Sequence, residues 1–302
     1  MATKNYVVVG LGEVLWDLLP GGKQLGGAPS NFAYITNLLG DNGIVASRVG
    51  ADDLGREARA AIEKLGLHTA YLQLDPAHPT GTVKVQLDAA GQPKFGISEN
   101  VAWDFLVWTP EWKALAREAD AVCFGSLAQR SPVSHQTIRE FIRGVRPNAT
   151  RIFDVNLRQA FFSVEVLRES ANLADVMKLN DDELPRVMAF LGLEHRDEES
   201  SAESLLRTFE LKLVCVTRGA KGSVLVNQKE THHHPGNTIK VADTIGAGDA
   251  FTAALVHQYL RGASLADMND AANRVGSWVA SQIGGTPAPN AAQLRAIFAA
   301  NG

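Results

Sequence analysis

Short apolar runs alternate with amphipathic stretches along nearly the whole chain. The runs at residues 6–9, 44–46, 121–124, 152–155 and 176–179 are apolar and rich in β-branched residues, so each predicts a buried strand. Strands that are apolar on both faces are typical of a parallel sheet covered by helices. The strand pattern therefore indicates a sheet at the centre of the molecule.

The stretches between these runs have a helical pattern. It predicts helices over residues 29–39, 53–65 and 250–260, and further helices after Ser131, Ser163 and Asp181. Strands that alternate with helices of roughly 10–15 residues predict an α/β fold with helices on both faces of a parallel sheet. Because no linker or low-complexity tract divides the chain, we expect one domain over residues 1–302.

Two sequence-distant pieces break this alternation. Residues 82–87 and 92–97 alternate between apolar and polar positions around a turn at 88–91, which predicts a β-hairpin. Residues 13–19, followed by Pro20 and two glycines, predict another exposed strand. We expect these pieces to form a small sheet that projects from the main one.

Composition and charge exclude several classes of function. The chain has 302 residues and a net charge of −4, so it lacks the basic surface typical of proteins that bind nucleic acid or anionic membranes. The chain has no apolar run of the roughly 18 residues that a membrane span needs, and no secretory leader precedes the first strand. Cys123 and Cys215 lie in apolar runs and are interpreted as buried, reduced thiols. We therefore expect a cytoplasmic protein.

One glycine-rich turn carries the strongest chemical signal. An extended run at 239–242 leads into it and a helix leads out; its sequence is Asp243-Thr244-Ile245-Gly246-Ala247-Gly248-Asp249-Ala250-Phe251. Such a turn leaves N–H groups unpaired and directed at one point, where an anion is favoured. A carboxylate beside an anion repels it, unless the carboxylate takes a proton from the group that attacks the anion. The pattern fits phosphoryl transfer with Asp249 as the base, and equally an ordinary helix N-terminus with a capping Asp.

Other polar groups follow predicted strands, where α/β sheets bind ligands. They are Gly26-Gly27-Ala28-Pro29-Ser30-Asn31, the set Asp154, Asn156 and Arg158, the pair Asn180 and Glu183, and Thr217-Arg218-Gly219-Ala220-Lys221-Gly222. The Asn180 and Glu183 pair suits Mg²⁺ held through water, while Thr217 to Gly222 fits either a nucleotide phosphate site or a tight hairpin. Helix capping and turn chemistry explain the same residues in a structural role.

Two further patterns lead to other classes of protein. Gly10-Leu11-Gly12-Glu13-Val14-Leu15 follows a strand, but Leu15 occupies the position of the third glycine of a dinucleotide-binding turn. This argues against a nicotinamide-dependent oxidoreductase. The three histidines at 232–234 could place two imidazoles on one strand face, but no cysteine is close to them in the sequence and we do not expect a zinc site there.

The two glycine turns together resemble the two signatures of the ribokinase-like (PfkB) carbohydrate kinases. They are the turns at 26–31 and 243–251, and the segments 10–17, 80–85 and 154–158 look most like those of bacterial fructokinases. The resemblance spans nearly the whole chain. It implies a three-layer αβα sandwich with a mostly parallel central sheet and a small projecting β lid, formed by about 13–27 and about 80–107.

The resemblance also implies roles for individual residues. Asp249 would be the general base, and the backbone of Gly246, Ala247 and Gly248 would form the anion hole for the γ-phosphate. The acceptor sugar would be bound by Asp17, Gly27, Asn31, Asn156, Arg158 and Asp249. The nucleotide would be bound by Asn180, Thr217, Gly219, Gly222, Gly248 and Asn273. Mg²⁺ would be held indirectly by Asn180 and Glu183, and a K⁺ ion by the backbone around Asp243, Ile245 and Gly285.

The implied activity is ATP-dependent phosphorylation of a neutral sugar on a primary hydroxyl, with fructose as the expected acceptor. The small-molecule partners would be the sugar and ATP, with Mg²⁺ and K⁺ as cofactors, and two copies of the chain would pair through the lid. Other acceptors of the same family stay open: ribose, a nucleoside, tagatose or 2-keto-3-deoxygluconate. A sugar sensor without catalytic activity is an alternative of another class, but both Asp249 and the glycine turn before it are intact.

Overall fold

The computed structural model describes residues 5–19, 21–87 and 93–293. Within them the chain forms thirteen strands, numbered β1 to β13 in this order: Val7–Leu11, Leu15–Leu19, Gly22–Gly26, Asn42–Gly50, Leu72–Asp75, Gly81–Leu87, Pro93–Ile97, Ala121–Phe124, Thr150–Asp154, Val176–Asn180, Leu213–Thr217, Ser223–Asn227 and Thr231–His234. The same residues form nine α-helices, α1 to α9: Ala28–Leu38, Asp53–Lys64, Pro110–Glu118, Pro132–Gly144, Val164–Leu173, Glu183–Leu191, Glu198–Thr208, Ala247–Tyr259 and Leu265–Ala280.

The large sheet has the strand order β13-β12-β11-β10-β9-β8-β1-β4-β5. Along this order, every pair of neighbouring strands between β11 and β5 is parallel. At the other edge, β12 pairs antiparallel with β11, and β13 pairs antiparallel with β12. Consecutive residues of one strand face opposite sides of the sheet. Val8 belongs to the apolar core that includes residues of α1, α2, α8 and α9, and Val9 belongs to the core that includes residues of α3 to α7. The predicted three-layer αβα sandwich is therefore confirmed.

The small sheet has the order β3-β2-β6-β7, with β2 and β6 parallel at its centre and antiparallel pairs outside. It joins the two sequence-distant pieces, as predicted. Its first strand begins at Leu15, whereas the sequence indicated a start at residue 13. Glu13 instead is only 5% exposed, in the main body of the protein. The predicted hairpin turn at 88–91 lies outside the described residues.

The segment at 239–242, expected to be extended and to lead into the second glycine turn as a strand would, is not in a sheet. The N–H groups of Ala242 and Asp243 donate to the carbonyl of Ala280, at the end of α9, instead of to a neighbouring strand. The edge of the large sheet is already occupied by β13. The turn at 217–222 is a tight hairpin that links β11 to β12.

No helix among the residues that the structure describes is long and apolar enough to cross a membrane.

Candidate active site

Polar residues gather at the carboxyl ends of neighbouring parallel strands. Asp154 ends β9, Asn180 ends β10 and Thr217 ends β11, and Asn180 lies opposite Thr217 in the register of the last two strands. The carboxyl end of such a sheet is where ligands bind in open α/β folds. The strand order therefore explains why residues far apart in sequence meet here.

The second glycine turn meets a second loop at very close range. Gly246 caps α8 with a φ of 74°, a left-handed conformation that favours glycine. A Cβ atom on Gly246 would collide with the backbone of Gly285. The turn therefore has room for no side chain at this position, and the backbone itself forms the wall of the site.

Helix α8 begins at Ala247, so its first turn presents backbone N–H groups that have no partner inside the helix. The N–H of Ala247 donates to the carbonyl of Thr244 at 3.3 Å, just before the helix. The N–H groups of Gly248 and Asp249 follow it in the first turn. The helix dipole adds positive potential at this end, so the position suits an anion.

Asp249 is hydrogen-bonded to the first glycine turn. The Nδ2 group of Asn31, near the start of α1, donates to Oδ2 of Asp249 at 2.8 Å. Asn31 is 4% exposed, and its Oδ1 is buried without a hydrogen-bond partner among the described residues. Burial raises the pKa of Asp249 to about 6, even though the Asn31 hydrogen bond favours the charged form. The structure thus brings together a weakly acidic carboxyl group and a free amide oxygen.

A buried ion pair lies beneath the start of α8, and the sequence analysis did not identify its cation. Nζ of Lys178, in β10, lies 3.1 Å and 3.3 Å from the two carboxylate oxygens of Asp154, in β9. Oγ1 of Thr252, in α8, donates to the same carboxylate at 2.9 Å. A Cβ atom on Gly248 would lie 3.1 Å from this Nζ. Burial by itself lowers the pKa of Lys178, but the carboxylates of Asp154, Glu183 and Asp249 raise it above its ordinary value.

Lys178 was predicted only as part of an apolar strand run. The signal that would have found it is a lysine at the third position of a strand whose neighbours are apolar, since a buried lysine needs a carboxylate partner. Arg158, by contrast, was predicted as the one cation near the sugar; it is exposed and follows β9. The site therefore has two cations, one buried and one at its mouth.

Asp17 lies in the small sheet, and Gly27 follows its strand β3 where the chain returns to the main body. Burial raises the pKa of Asp17, which lies in β2, and the charge of Arg158 opposes this rise. Gly27 has a φ of 107°, and a Cβ atom there would collide with the carbonyl of Glu13. Asn156 follows β9 with a φ of 46° and lines the same cavity as Asp249. These predicted sugar residues thus surround one end of the sheet.

Asn180 and Glu183 form reciprocal hydrogen bonds at the start of α6. Oδ1 of Asn180 accepts from the N–H of Glu183 at 2.8 Å, and Oε2 of Glu183 accepts from the N–H of Asn180 at 2.9 Å. The other carboxylate oxygen of Glu183 accepts from the N–H of Leu157 at 2.7 Å. Since backbone groups already hold both oxygens, these side chains fit a metal ion only through intervening water.

The predicted nucleotide residues are spread over the adjoining edge. Oγ1 of Thr217 is 3.5 Å from the carbonyl of Leu179, and Gly219 is exposed in the hairpin turn after it. Gly222 packs against the backbone of 234–236. The side chain of Asn273, in α9, donates to Ser223, in β12, and to Asn269, one turn earlier in α9. One turn further along α9, Gly276 lies against the carbonyl of Ala247, so α9 contacts the anion-binding turn directly.

The two segments of the predicted K⁺ loop are tied together by Asp243. Its Oδ1 accepts from the N–H of Ile245 and its Oδ2 from the N–H of Gly284, both at 3.0 Å. Both carboxylate oxygens of Asp243 thus already accept hydrogen bonds. The groups that would coordinate a cation are the backbone carbonyl oxygens of Asp243, Ile245 and Gly285. Carbonyl oxygens are hard ligands, so the donor type fits an alkali metal ion. Among the described residues, no group of three or more His, Cys, Asp or Glu forms a metal site.

Comparisons with known proteins identify the family of this chain. The model of the pfkB family carbohydrate kinases matches residues 21–291. The fructokinase of Escherichia coli is 31% identical over 271 residues, which cover 85% of this chain and 84% of that protein. A sugar kinase of Pyrococcus horikoshii, solved in complex with ATP, has a TM-score of 0.81 at 27% identity and covers 97% of this chain and 100% of its own. The fructokinase of Vibrio cholerae, solved with fructose, ADP and calcium ion, has a TM-score of 0.80 at 26% identity and covers 98% and 99% of the two chains.

The fold and the glycine turn before a carboxylate define a carbohydrate kinase. The chain belongs to the pfkB family, and the predicted resemblance to its fructokinases is confirmed.

The buried ion pair generates a stability prediction. We expect Lys178→Met to lower the free energy of unfolding by about 3–5 kcal/mol, because the substitution leaves Asp154 buried without its cation. The measurement is chemical denaturation of the wild type and the variant.

Lys212→Met is the matched control. Lys212 also pairs with an aspartate, at 2.9 Å, but its side chain is 60% exposed, so the control should change the stability by less than about 1 kcal/mol. Equal losses in the two variants would contradict the role given to the buried pair.

Proposed function

We propose that this carbohydrate kinase is an ATP-dependent fructokinase, which transfers the γ-phosphate of ATP to a primary hydroxyl of fructose with Asp249 as the general base. The observation that carries the proposal is the Asn31–Asp249 hydrogen bond at the start of α8. It positions a carboxylate beside an anion-binding helix end and leaves one buried amide oxygen free to accept from a hydroxyl group.

The raised pKa of Asp249 supports its role as a base. With a pKa of about 6, the carboxylate is charged near neutral pH yet is a stronger base than an exposed aspartate. The anion hole of Gly246, Ala247 and Gly248 would hold the transferred phosphoryl group. Lys178 lies directly beneath Gly248 and favours negative charge at this end of α8. The same turn thus accommodates both the phosphate and the base.

The groups around the acceptor position suit a neutral sugar. Asp17 accepts hydrogen bonds from hydroxyls, Asn31 can donate and accept, and Gly27 and Asn156 contribute backbone at the same end of the sheet. Arg158 is the one exposed cation among the predicted sugar residues, and phosphoryl transfer can use its charge. This favours fructose over an acid such as 2-keto-3-deoxygluconate. Similarity to fructokinases supports the same choice over ribose, a nucleoside or tagatose.

ATP would extend from the anion hole along the ends of β10 and β11, past Asn180, Thr217, Gly219 and Gly222, towards Asn273 on α9. Mg²⁺ would be held through water near Asn180 and Glu183, where it neutralises phosphate charge. K⁺ would be held by the carbonyls of Asp243, Ile245 and Gly285. The small sheet would be the lid, formed by about 13–27 and about 80–107, which excludes water so that phosphate passes to the sugar.

Asp249→Asn tests the base. The substitution keeps the shape of the side chain but removes the proton acceptor, so kcat should fall by about 10²–10⁴ while ATP binding is retained. In the wild type, kcat/KM for the sugar should fall as the pH drops through about 6, because the raised pKa makes Asp249 neutral below that point. Steady-state kinetics across pH and calorimetric titration with ATP measure these quantities.

Asp267→Asn, at the exposed start of α9, is the matched control and should leave turnover unchanged. An Asp249→Asn variant within threefold of wild-type activity would remove Asp249 from the mechanism. A protein that binds sugar but never phosphorylates it would favour the sensor alternative, and reduction of a nicotinamide cofactor would favour the oxidoreductase.

The acceptor is tested by a phosphorylation panel. We expect fructose to have a higher kcat/KM than ribose, adenosine, tagatose or 2-keto-3-deoxygluconate. Asp17→Ala should raise KM for the sugar far more than KM for ATP, since the loss of hydrogen bonds to a charged group costs roughly 2–4 kcal/mol. Preference for another acceptor by tenfold or more would overturn the choice of fructose and leave the carbohydrate kinase unaffected.

A further inference from the structure

Glu13 has a buried carboxyl group that takes no part in the proposed function described above. It follows β1 directly and is 5% exposed. The backbone N–H groups of Glu13 itself and of Ala28, the first residue of α1, stabilise its charged form. Its own carbonyl is in contact with Gly27. Glu13 therefore lies against the turn that positions Asn31.

Glu13 and Asp249 line the same small cavity. The cavity lies between β1, the start of α1, β8, β9 and α8, and its polar lining is formed by Glu13, Asp154, Asn156 and Asp249. Its volume is about 20 Å³, and one water molecule needs roughly 10–15 Å³ of such space and two to four polar partners. The volume is sufficient for one water molecule, and four polar side chains line the cavity as candidate partners.

The two carboxyl groups differ from Asp154, the third one in the cavity. Asp154 is paired with the positive charge of Lys178 and also accepts a hydrogen bond from Thr252. Asp249 has its hydrogen bond from neutral Asn31, and Glu13 has backbone N–H groups only. The charged and titratable groups around Glu13 come from separate elements: Asp249 from α8, Arg158 from the loop after β9, Cys123 from β8, Asp154 from β9 and Lys178 from β10.

We propose that Glu13 is the second acid–base group of this active site, which takes up, through one water molecule in the shared cavity, the proton that Asp249 has removed from the acceptor hydroxyl. The proposal rests on the proposed role of Asp249 as the base. It concerns the fate of the proton after phosphoryl transfer and is independent of which sugar is the acceptor.

The proton of the acceptor hydroxyl passes first to Asp249 and then, through the water, to Glu13. The O–H bond of the acceptor and the bond from the γ-phosphorus to ADP break, the new O–P bond forms, and the hydroxyl proton goes to Asp249. Asp249 then gives this proton to the water, and the water gives another of its protons to Glu13. Asp249 is charged again, Glu13 is neutral and the water is unchanged. Glu13 loses its proton to solvent after the product leaves.

The acidities of the two groups have the order that this transfer needs. Burial is the main cause that raises the pKa of Glu13 to about 7, and the nearby charge of Asp249 adds to it, while the backbone N–H groups and Arg158 oppose it. The pKa of Asp249 is raised to about 6. Both carboxyl groups are therefore more basic than exposed ones, so a proton can pass from Asp249 to Glu13.

Glu13→Gln tests the relay, because Gln keeps the size and an oxygen acceptor for Ala28 but cannot take up a proton. Since the transfer follows phosphoryl transfer, it affects kcat and not kcat/KM. Wild-type kcat should fall as the pH drops through about 7, where Glu13 becomes neutral. In the Glu13→Gln variant, the maximal kcat should be lower by up to about tenfold. The midpoint of its pH profile should move down by about one pH unit, to the value expected when Asp249 alone titrates.

Glu13→Asp keeps a carboxylate that can take up a proton, so it should restore part of the rate that Glu13→Gln loses. Glu118→Gln, at the exposed end of α3, is the matched control and should leave both quantities unchanged. All variants are assayed with the sugar that turns over fastest in the acceptor panel, and calorimetric titration with ATP checks that each one is folded. A purely structural role of Glu13 would lower the rate without moving the midpoint.

A second measurement needs no turnover. Difference infrared spectra of the free protein follow the C=O stretch of protonated carboxyl groups as the pH is changed. Glu13→Gln should remove the titration near pH 7. Asp249→Asn should keep a Glu13 titration but move it to lower pH, because a neighbouring negative charge has been removed.

The outcomes separate the two proposals. An active Asp249→Asn variant would overturn the proposed function. An inactive Asp249→Asn variant, combined with a Glu13→Gln variant whose kcat midpoint equals that of the wild type, would overturn the relay alone. Absence of the infrared titration near pH 7 from the wild type would also overturn the relay.

Discussion

The ion pair between Lys178 and Asp154 is the interaction on which the rest of the site depends. It joins two central strands, and Thr252 connects it to α8. A buried charge is tolerated only when it is paired and hydrogen-bonded, so both strands and the helix must keep their relative positions. This pair fixes the floor of the site, on which the glycine turn before α8 lies.

Close contacts explain why glycines occupy several positions around the site. Nζ of Lys178 lies so close to Gly248 that a side chain there would need the lysine to move. Gly246 meets Gly285 backbone to backbone, and Gly27 meets the carbonyl of Glu13 in the same way. Walls made of backbone present N–H and C=O groups and leave little room for water. Carboxyl groups enclosed by such walls are poorly solvated, which is why the pKa values of Asp249 and Glu13 rise.

The sequence was sufficient to predict the alternation of strands and helices, because the period of the apolar residues changes sharply between them. It also predicted the glycine turns and Asp249, since their residue types are tied to local backbone chemistry. Strand β3 was missed because Gly22, Lys23 and Gln24 have low strand propensity, and its place in the small sheet depends on pairing with β2. The burial of Glu13 and the pairing of Lys178 were also missed. Both depend on contacts between elements distant in sequence, and no local pattern contains that information.

The small sheet adds one further constraint. Asp17 lies on β2, in the small sheet, whereas Asn31 and Asp249 belong to the body. A sugar that is bound by all three would therefore join the two parts, and its binding energy would favour the closed arrangement. The side chain of Gln24, on β3, lies directly against Gly284, whose N–H is held by Asp243. The small sheet thus contacts both the proposed sugar position and the loop that supports the anion-binding turn. In the proposed kinase, closure of the small sheet around the sugar would also complete the phosphate site, because the strands of this sheet contact both.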